Sequence, residues 1–74
     1  MKEGQQIRAK LVELYLSSAW LIDQLEKAGV SIQGAVLSNI LSGARRGPQA
    51  DLVLKASKRI LDNYEQRMNA PLYH

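Results

Sequence analysis

Apolar residues recur along the chain at the spacing of one face of a helix. In the first segment the spacing is i, i+4, i+7 and i+8, which places four residues on a single stripe. That stripe contains Ile7, Leu11, Leu14 and Tyr15, with Val12 and Leu16 beside it. The short apolar runs elsewhere lack the alternation that is typical of a strand. The pattern therefore predicts an all-α chain whose first helix covers about residues 3–16.

Two serines and a glycine delimit a second helix. Ser17 and Ser18 interrupt the first apolar stripe, and either side chain can cap the N-terminus of the next helix. Gly29 is suited to the left-handed conformation in which many helices end. We therefore predict a second helix over about residues 19–28, followed by a turn at residues 30–32.

A third and a fourth helix follow from similar signals. Gly43 ends an apolar pattern that begins near residue 33, which predicts a third helix over residues 33–42. Pro48 is tolerated best in the first turn of a helix, so a longer fourth helix is predicted from there to residue 67 or 68. The residues predicted to face inward are Val36, Leu37, Ile40 and Leu41 on the third helix and Leu52, Val53, Ala56, Ile60, Leu61 and Tyr64 on the fourth.

Length and composition predict one small folded domain over residues 1–74. Hydrophobic residues make up 46% of the chain and charged residues 23%, which is typical of a globular protein and unlike a disordered one. The net charge of +3 is a mild bias toward polyanions. No cysteine, signal-peptide pattern or membrane-length apolar run is present, which fits a cytoplasmic protein.

The sequence offers no recognisable catalytic group, so we expect no enzyme activity. His74, the only histidine, is the last residue, and a general base or metal site cannot be built around it. The seven carboxylates are dispersed over polar faces, and Gly43 and Gly47 lack the rest of a phosphate-binding loop. We expect neither a metal nor a cofactor.

The most informative motif is the third helix with the loop that follows it. Residues 37–48 read Leu-Ser-Asn-Ile-Leu-Ser-Gly-Ala-Arg-Arg-Gly-Pro, and residues 20–25 read Trp-Leu-Ile-Asp-Gln-Leu. These two segments resemble the second and first helices of a lambda-repressor-like helix-turn-helix of the phage Cro/CI type. The spacing between them is about five residues longer than is usual in that family, so either the first helix is a turn longer or the connecting loop is enlarged. The resemblance implies a four- to five-helix domain with its core motif at about residues 18–48 and its C-terminal helix at about 48–68.

The resemblance also implies a small transcriptional regulator that binds double-stranded DNA in a bacterial host cell. Its third helix would enter the major groove, and a homodimer would bind a short pseudo-palindromic operator. The residues at the positions that face bases in that family are Gln33, Gly34, Ala35, Ser38 and Asn39. Arg45 and Arg46 lie where the family touches the phosphate backbone.

The chemistry of these residues leaves two interpretations open. Gln33 and Asn39 can each make a bidentate contact to adenine, worth about 1–3 kcal/mol of discrimination. Gly34 offers only its backbone and Ala35 only a methyl group. Gln33, Ser38 and Asn39 could instead be ordinary polar residues of an exposed helix face. Arg45 and Arg46 could belong to a solvated turn, since basic residues are favoured at the C-terminus of a helix.

A second function from another class fits the same helix. Its surface is small and partly apolar at Ile32, Gly34, Ala35 and Val36, which suits close helix packing better than hydrogen-bonded base recognition. The alternative hypothesis is therefore a protein-binding modulator, such as an antirepressor that binds a phage repressor and alters its DNA binding.

Several other residues can be interpreted either as structural or as functional. Trp20 is predicted to be a core residue between the first and last helices rather than a ligand-stacking residue. The cationic side chains of the last helix are either a solvated face or a second phosphate-facing strip; they are Lys55, Lys58 and Arg59. Four C-terminal residues could form a dimer seam or close the core, namely Tyr64, Met68, Leu72 and Tyr73.

Overall fold

Residues 2–69 form a bundle of four α-helices. A computed structural model describes residues 2–69, and no strand occurs in that range. The helices are α1 (Lys2–Glu13), α2 (Ser18–Lys27), α3 (Gly34–Ser42) and α4 (Pro48–Asn69). The predicted all-α class is confirmed. None of these helices is long and apolar enough to cross a membrane. The predictions for Leu72, Tyr73 and His74 concern positions outside the described residues.

The predicted helix boundaries near α2 and α3 are confirmed. Ser17 is the N-cap of α2, and its Oγ accepts a hydrogen bond from the Trp20 N–H at 3.0 Å. Gly29 and Gly43 have φ angles of 93° and 86°, in the left-handed region that glycine adopts at least cost. Both glycines therefore end a helix, as the sequence predicts.

The end of α1 differs from the prediction. The helix stops at Glu13 rather than at residue 16, because Tyr15 takes a left-handed conformation with φ 58°. This backbone geometry leaves the Tyr15 side chain 96% exposed, so its predicted place on the buried stripe is wrong. Val12, beside that stripe, is also 76% exposed, whereas Ile7 and Leu11 are buried.

The core forms where the three short helices pack against α4. Its buried apolar residues come from all four helices and are Ile7, Leu11, Leu21, Leu25, Leu37, Ile40, Leu41, Ala50, Val53, Leu54 and Leu61. On α4 the buried positions are 50, 53, 54, 57 and 61, so Leu52 lies to one side of the stripe and is 56% exposed. The prediction that Leu52 faces inward is therefore wrong. It overlooked Ser57, a polar residue that is fully buried.

A glycine permits the close approach of α1 to α3. Gly4 is buried, and a Cβ atom built on it would lie 2.7 Å from the carbonyl carbon of Leu41 and closer still to its oxygen. Real Cβ atoms do not approach backbone so closely. The two helices can keep this separation only while residue 4 has no side chain.

Two side-chain contacts hold the C-terminal half of α4 against the other helices. The Trp20 ring meets the Tyr64 ring edge-on, with centroids 5.2 Å apart and planes at 73°. The Lys10 Nζ donates to both carboxylate oxygens of Glu65 at 3.0 Å. This hydrogen bond raises the pKa of Lys10 above its ordinary value. Trp20 is half-buried against the core, which agrees with the core reading of that residue.

Candidate functional site

The helix α3 presents one face to the core and the other to solvent. Leu37, Ile40 and Leu41 are buried, as the helical spacing of the apolar residues requires. The five residues predicted to face DNA bases are all exposed, namely Gln33, Gly34, Ala35, Ser38 and Asn39. The structure therefore brings these residues together on a single accessible surface. Ile32 and Val36, at the edge of that surface, are half-buried.

The N-terminus of α3 differs from that of α2 in its capping. Gln33 occupies the N-cap position with φ −93° and ψ 161°, but its side chain makes no capping hydrogen bond. Gly34 follows it, and a Cβ atom placed there would meet only the Ile22 Cδ1, at 3.8 Å. The first turn of α3 therefore leaves backbone N–H groups for an outside acceptor, and its positive dipole end favours an anion.

The loop after α3 holds two arginines close to the end of that helix. The backbone carbonyl of Asn39 accepts from the Arg45 N–H and from the Ser42 hydroxyl, each at 3.1 Å. The guanidinium of Arg45 lies 3.5 Å from the Gln49 Oε1, and the side chains of Arg45 and Arg46 are exposed. The hydrogen bond from the Arg45 N–H to Asn39 therefore holds the backbone of Arg45 close to the end of α3. The guanidinium groups of Arg45 and Arg46 stay accessible to solvent.

A third arginine, from another helix, joins the same surface. The Nη2 of Arg8 in α1 donates to the Ser38 Oγ at 3.3 Å and lies 3.4 Å from the Ser38 carbonyl oxygen. An open groove of about 380 Å³ runs between α1 and α3 and has Arg8, Val12, Ser18, Gly34 and Ser38 among its lining residues. Sequence reasoning missed Arg8 because it lies on the polar side of α1, and only tertiary packing brings it to α3.

The arginines near α3 make no ion pair with an acidic residue of the described chain. No Asp or Glu occurs between residues 28 and 50. Within residues 2–69 the ion pairs are Lys10–Glu65 and Lys27–Asp23, so neither includes Arg8, Arg45 or Arg46. One unpaired guanidinium group therefore contacts α3 and two more lie in the loop that follows it, an arrangement that attracts an anionic partner.

Comparison of the chain with models of known protein families, with curated proteins and with solved structures gave no match. Among the described residues, no three His, Asp or Glu side chains come together as a metal ion would need. The chemistry available at this surface is therefore that of exposed amides, hydroxyls, backbone N–H groups and guanidinium groups.

Proposed function

We propose that this protein binds double-stranded DNA as a small transcriptional regulator and that α3 is its recognition helix. The observation that carries the proposal is the exposed face of α3, flanked by Arg8, Arg45 and Arg46 and free of acidic residues. The resemblance of residues 18–48 to a lambda-repressor-like helix-turn-helix supports the same proposal. In this account the helices α2 and α3 form that motif.

The dimensions of α3 suit the major groove. Nine residues make a helix about 13 Å long, and a helix with its side chains is about 10–12 Å across. The major groove of B-DNA is about 12 Å wide, so α3 can enter it. Gln33 and Asn39 would then contact base edges, and the small Gly34 and Ala35 would allow the backbone of α3 to come close to the DNA.

The arginines around α3 would contact phosphates. Such contacts supply affinity without sequence information and release counterions, which makes binding dependent on salt. If Arg8, Arg45 and Arg46 each neutralise one phosphate, the affinity falls about 40-fold between about 50 and about 200 mM salt. The open N–H groups at the start of α3 would add a further phosphate contact.

The proposal is tested by the fluorescence anisotropy of a labelled duplex of mixed sequence. We expect binding at low salt, and we expect Arg45→Ala to weaken it for every duplex and to lower the log–log salt slope by about 1. The matched control is Arg67→Ala, which removes an exposed arginine near the C-terminal end of α4. Binding that is absent at low salt, or equally weakened by both substitutions, would rule out the proposed surface.

A second experiment separates recognition from affinity. Selection of preferred duplexes from a random pool should return a short operator, and its symmetry would show whether two copies bind together. Asn39→Ala should relax the preference at one base position, whereas Arg46→Ala should leave every preference unchanged. A preference that survives Asn39→Ala intact would exclude Asn39 as a base-contacting residue.

A second candidate function is the binding of a repressor protein by the same face of α3. The observation that favours it is the exposed Val12 in the groove beside Gly34, an apolar side chain that DNA would leave unused. A protein helix would bury both residues. Under this alternative, Val12→Asp abolishes binding to a repressor that carries a similar helix-turn-helix, and duplex DNA produces no amide shifts along α3 at low salt.

A further inference from the structure

A second groove lies between α4 and the start of the α2–α3 connection. It has a volume of about 340 Å³, and its apolar lining residues are Ala28, Val30, Leu52, Ala56 and Ile60. Leu52 is one of the few large apolar side chains that are more than half exposed in the described chain. This groove shares no lining residue with the groove between α1 and α3. It also contains none of the residues of the proposed DNA interface, so it is a separate surface.

Two cationic side chains also line this second groove. Lys55 and Arg59 stand one turn apart on α4, and both line the groove. No carboxylate lines it, and neither cation belongs to an ion pair within residues 2–69. The surface therefore combines an apolar floor with an uncompensated positive charge.

We propose that this groove binds an acidic amphipathic segment of a partner protein. Leucine-sized side chains of the segment would fill the floor beside Leu52 and Ile60, and its Asp or Glu side chains would pair with Lys55 and Arg59. An amphipathic helix that lays its apolar face into a hydrophobic groove is a common mode of peptide recognition. Here the charge of the groove selects the charge of the helix.

The composition of the groove disfavours two other occupants. A DNA backbone would satisfy Lys55 and Arg59 but would leave the apolar floor without a partner. A second copy of the chain, related by a twofold axis through this groove, would bring Lys55 and Arg59 toward their own equivalents. An acidic amphipathic partner satisfies both the apolar floor and the charges.

The experiment uses two synthetic helical peptides of about 15 residues, long enough to form several turns. Both carry the same stripe of leucines, but one has glutamates at its polar positions and the other has lysines. Amide NMR spectra of the labelled protein should show shifts at Ala28, Val30, Ala56 and Ile60 with the glutamate peptide only. The double variant Lys55→Glu/Arg59→Glu should bind that peptide at least about tenfold more weakly and should now bind the lysine peptide.

Two further variants control for charge and for folding. Lys58→Glu reverses a charge in the groove between α1 and α4, and it should leave peptide binding unchanged. Leu52→Asp should weaken peptide binding without changing the circular dichroism spectrum, because Leu52 is more than half exposed. The proposal is overturned if neither peptide binds or if both bind alike. It is also overturned if duplex DNA shifts these amides, or if they shift with protein concentration alone.

Discussion

Two glycines near the starts of helices have opposite surroundings. Gly4 in α1 lies against the backbone of Leu41, so that any side chain at residue 4 would overlap it. Gly34 begins α3, is exposed, and has room for a Cβ atom. The interior of the protein therefore requires a glycine at position 4 and does not require one at position 34. Because packing within the protein does not require glycine at position 34, its small size could instead serve contact with another molecule. Gly34 lies on the proposed DNA-binding face.

The first prediction concerns the glycine that the interior requires. Gly4→Ala should destabilise the fold by about 1–3 kcal/mol, because α1 must move away from α3 to admit the methyl group. The higher helix propensity of alanine offsets less than about 1 kcal/mol of this loss. Urea unfolding followed by circular dichroism measures the change. An unaltered unfolding midpoint would show that the α1–α3 contact can relax and that packing does not require glycine at position 4.

The second prediction concerns the glycine that the interior does not require. Gly34→Leu should leave the unfolding midpoint near that of the unsubstituted protein, since the position is exposed and open. It should weaken DNA binding about tenfold, because the leucine side chain would hold α3 away from the major groove of the DNA. This loss corresponds to about 1.4 kcal/mol. Gly34→Ala is the conservative control and should be intermediate in binding. Undiminished DNA affinity in the leucine variant would mean that Gly34 lies outside the interface.

A third prediction concerns a buried position at which a substitution should stabilise the protein. Ser57 is fully buried, and its hydroxyl has no hydrogen-bond partner among the described residues. Removing an unpaired buried hydroxyl recovers its desolvation cost, so Ser57→Ala should stabilise the protein by about 1 kcal/mol. Ser18→Ala, at an exposed position of α2, is the matched control and should change stability little. A loss of stability in the Ser57 variant would indicate a hydrogen bond that forms in solution.

The smallest effect is expected at the edge of the core, where Lys10 meets Glu65. Because folding raises the pKa of Lys10, the contribution of this ion pair is fully present below the unfolded value of about 10.5 and is lost as the pH rises through the folded value. Unfolding midpoints at about pH 8 and about pH 11.5 should therefore differ more in the parent than in Lys10→Met. Equal pH dependence in both proteins would show that the pair does not contribute.

Local signals in the sequence were sufficient for the helices and insufficient for the way they pack. Ser17, Gly29 and Gly43 each act within one turn of the backbone, so their roles as helix boundaries could be predicted. Gly4 and Arg8 could not be recognised, because each depends on a partner in α3 that lies at least 30 residues away in the chain. Leu52 was misplaced because helical spacing alone does not fix the centre of a buried stripe.

The candidate site also has one part that local spacing predicts and another that depends on how the helices pack. The exposed face of α3 follows from its own spacing, so Gln33, Ser38 and Asn39 could be placed together from the sequence. The contribution of α1 to that surface could not, since only the packing of α1 on α3 brings Arg8 to Ser38. Nothing in the local pattern separates an arginine that will join a site from one that remains solvated.

The position of the longest helix at the end of the described chain bears on the order in which the protein can fold. The helices α1, α2 and α3 have 12, 10 and 9 residues, and isolated helices of this length are marginal in water. Their apolar faces pack against α4, which the ribosome makes after them. A nascent chain released as far as Gly47 therefore lacks the surface that its first three helices need. The complete core includes Ala50, Val53, Leu54 and Leu61 of α4, so it can form only after α4 has left the exit tunnel.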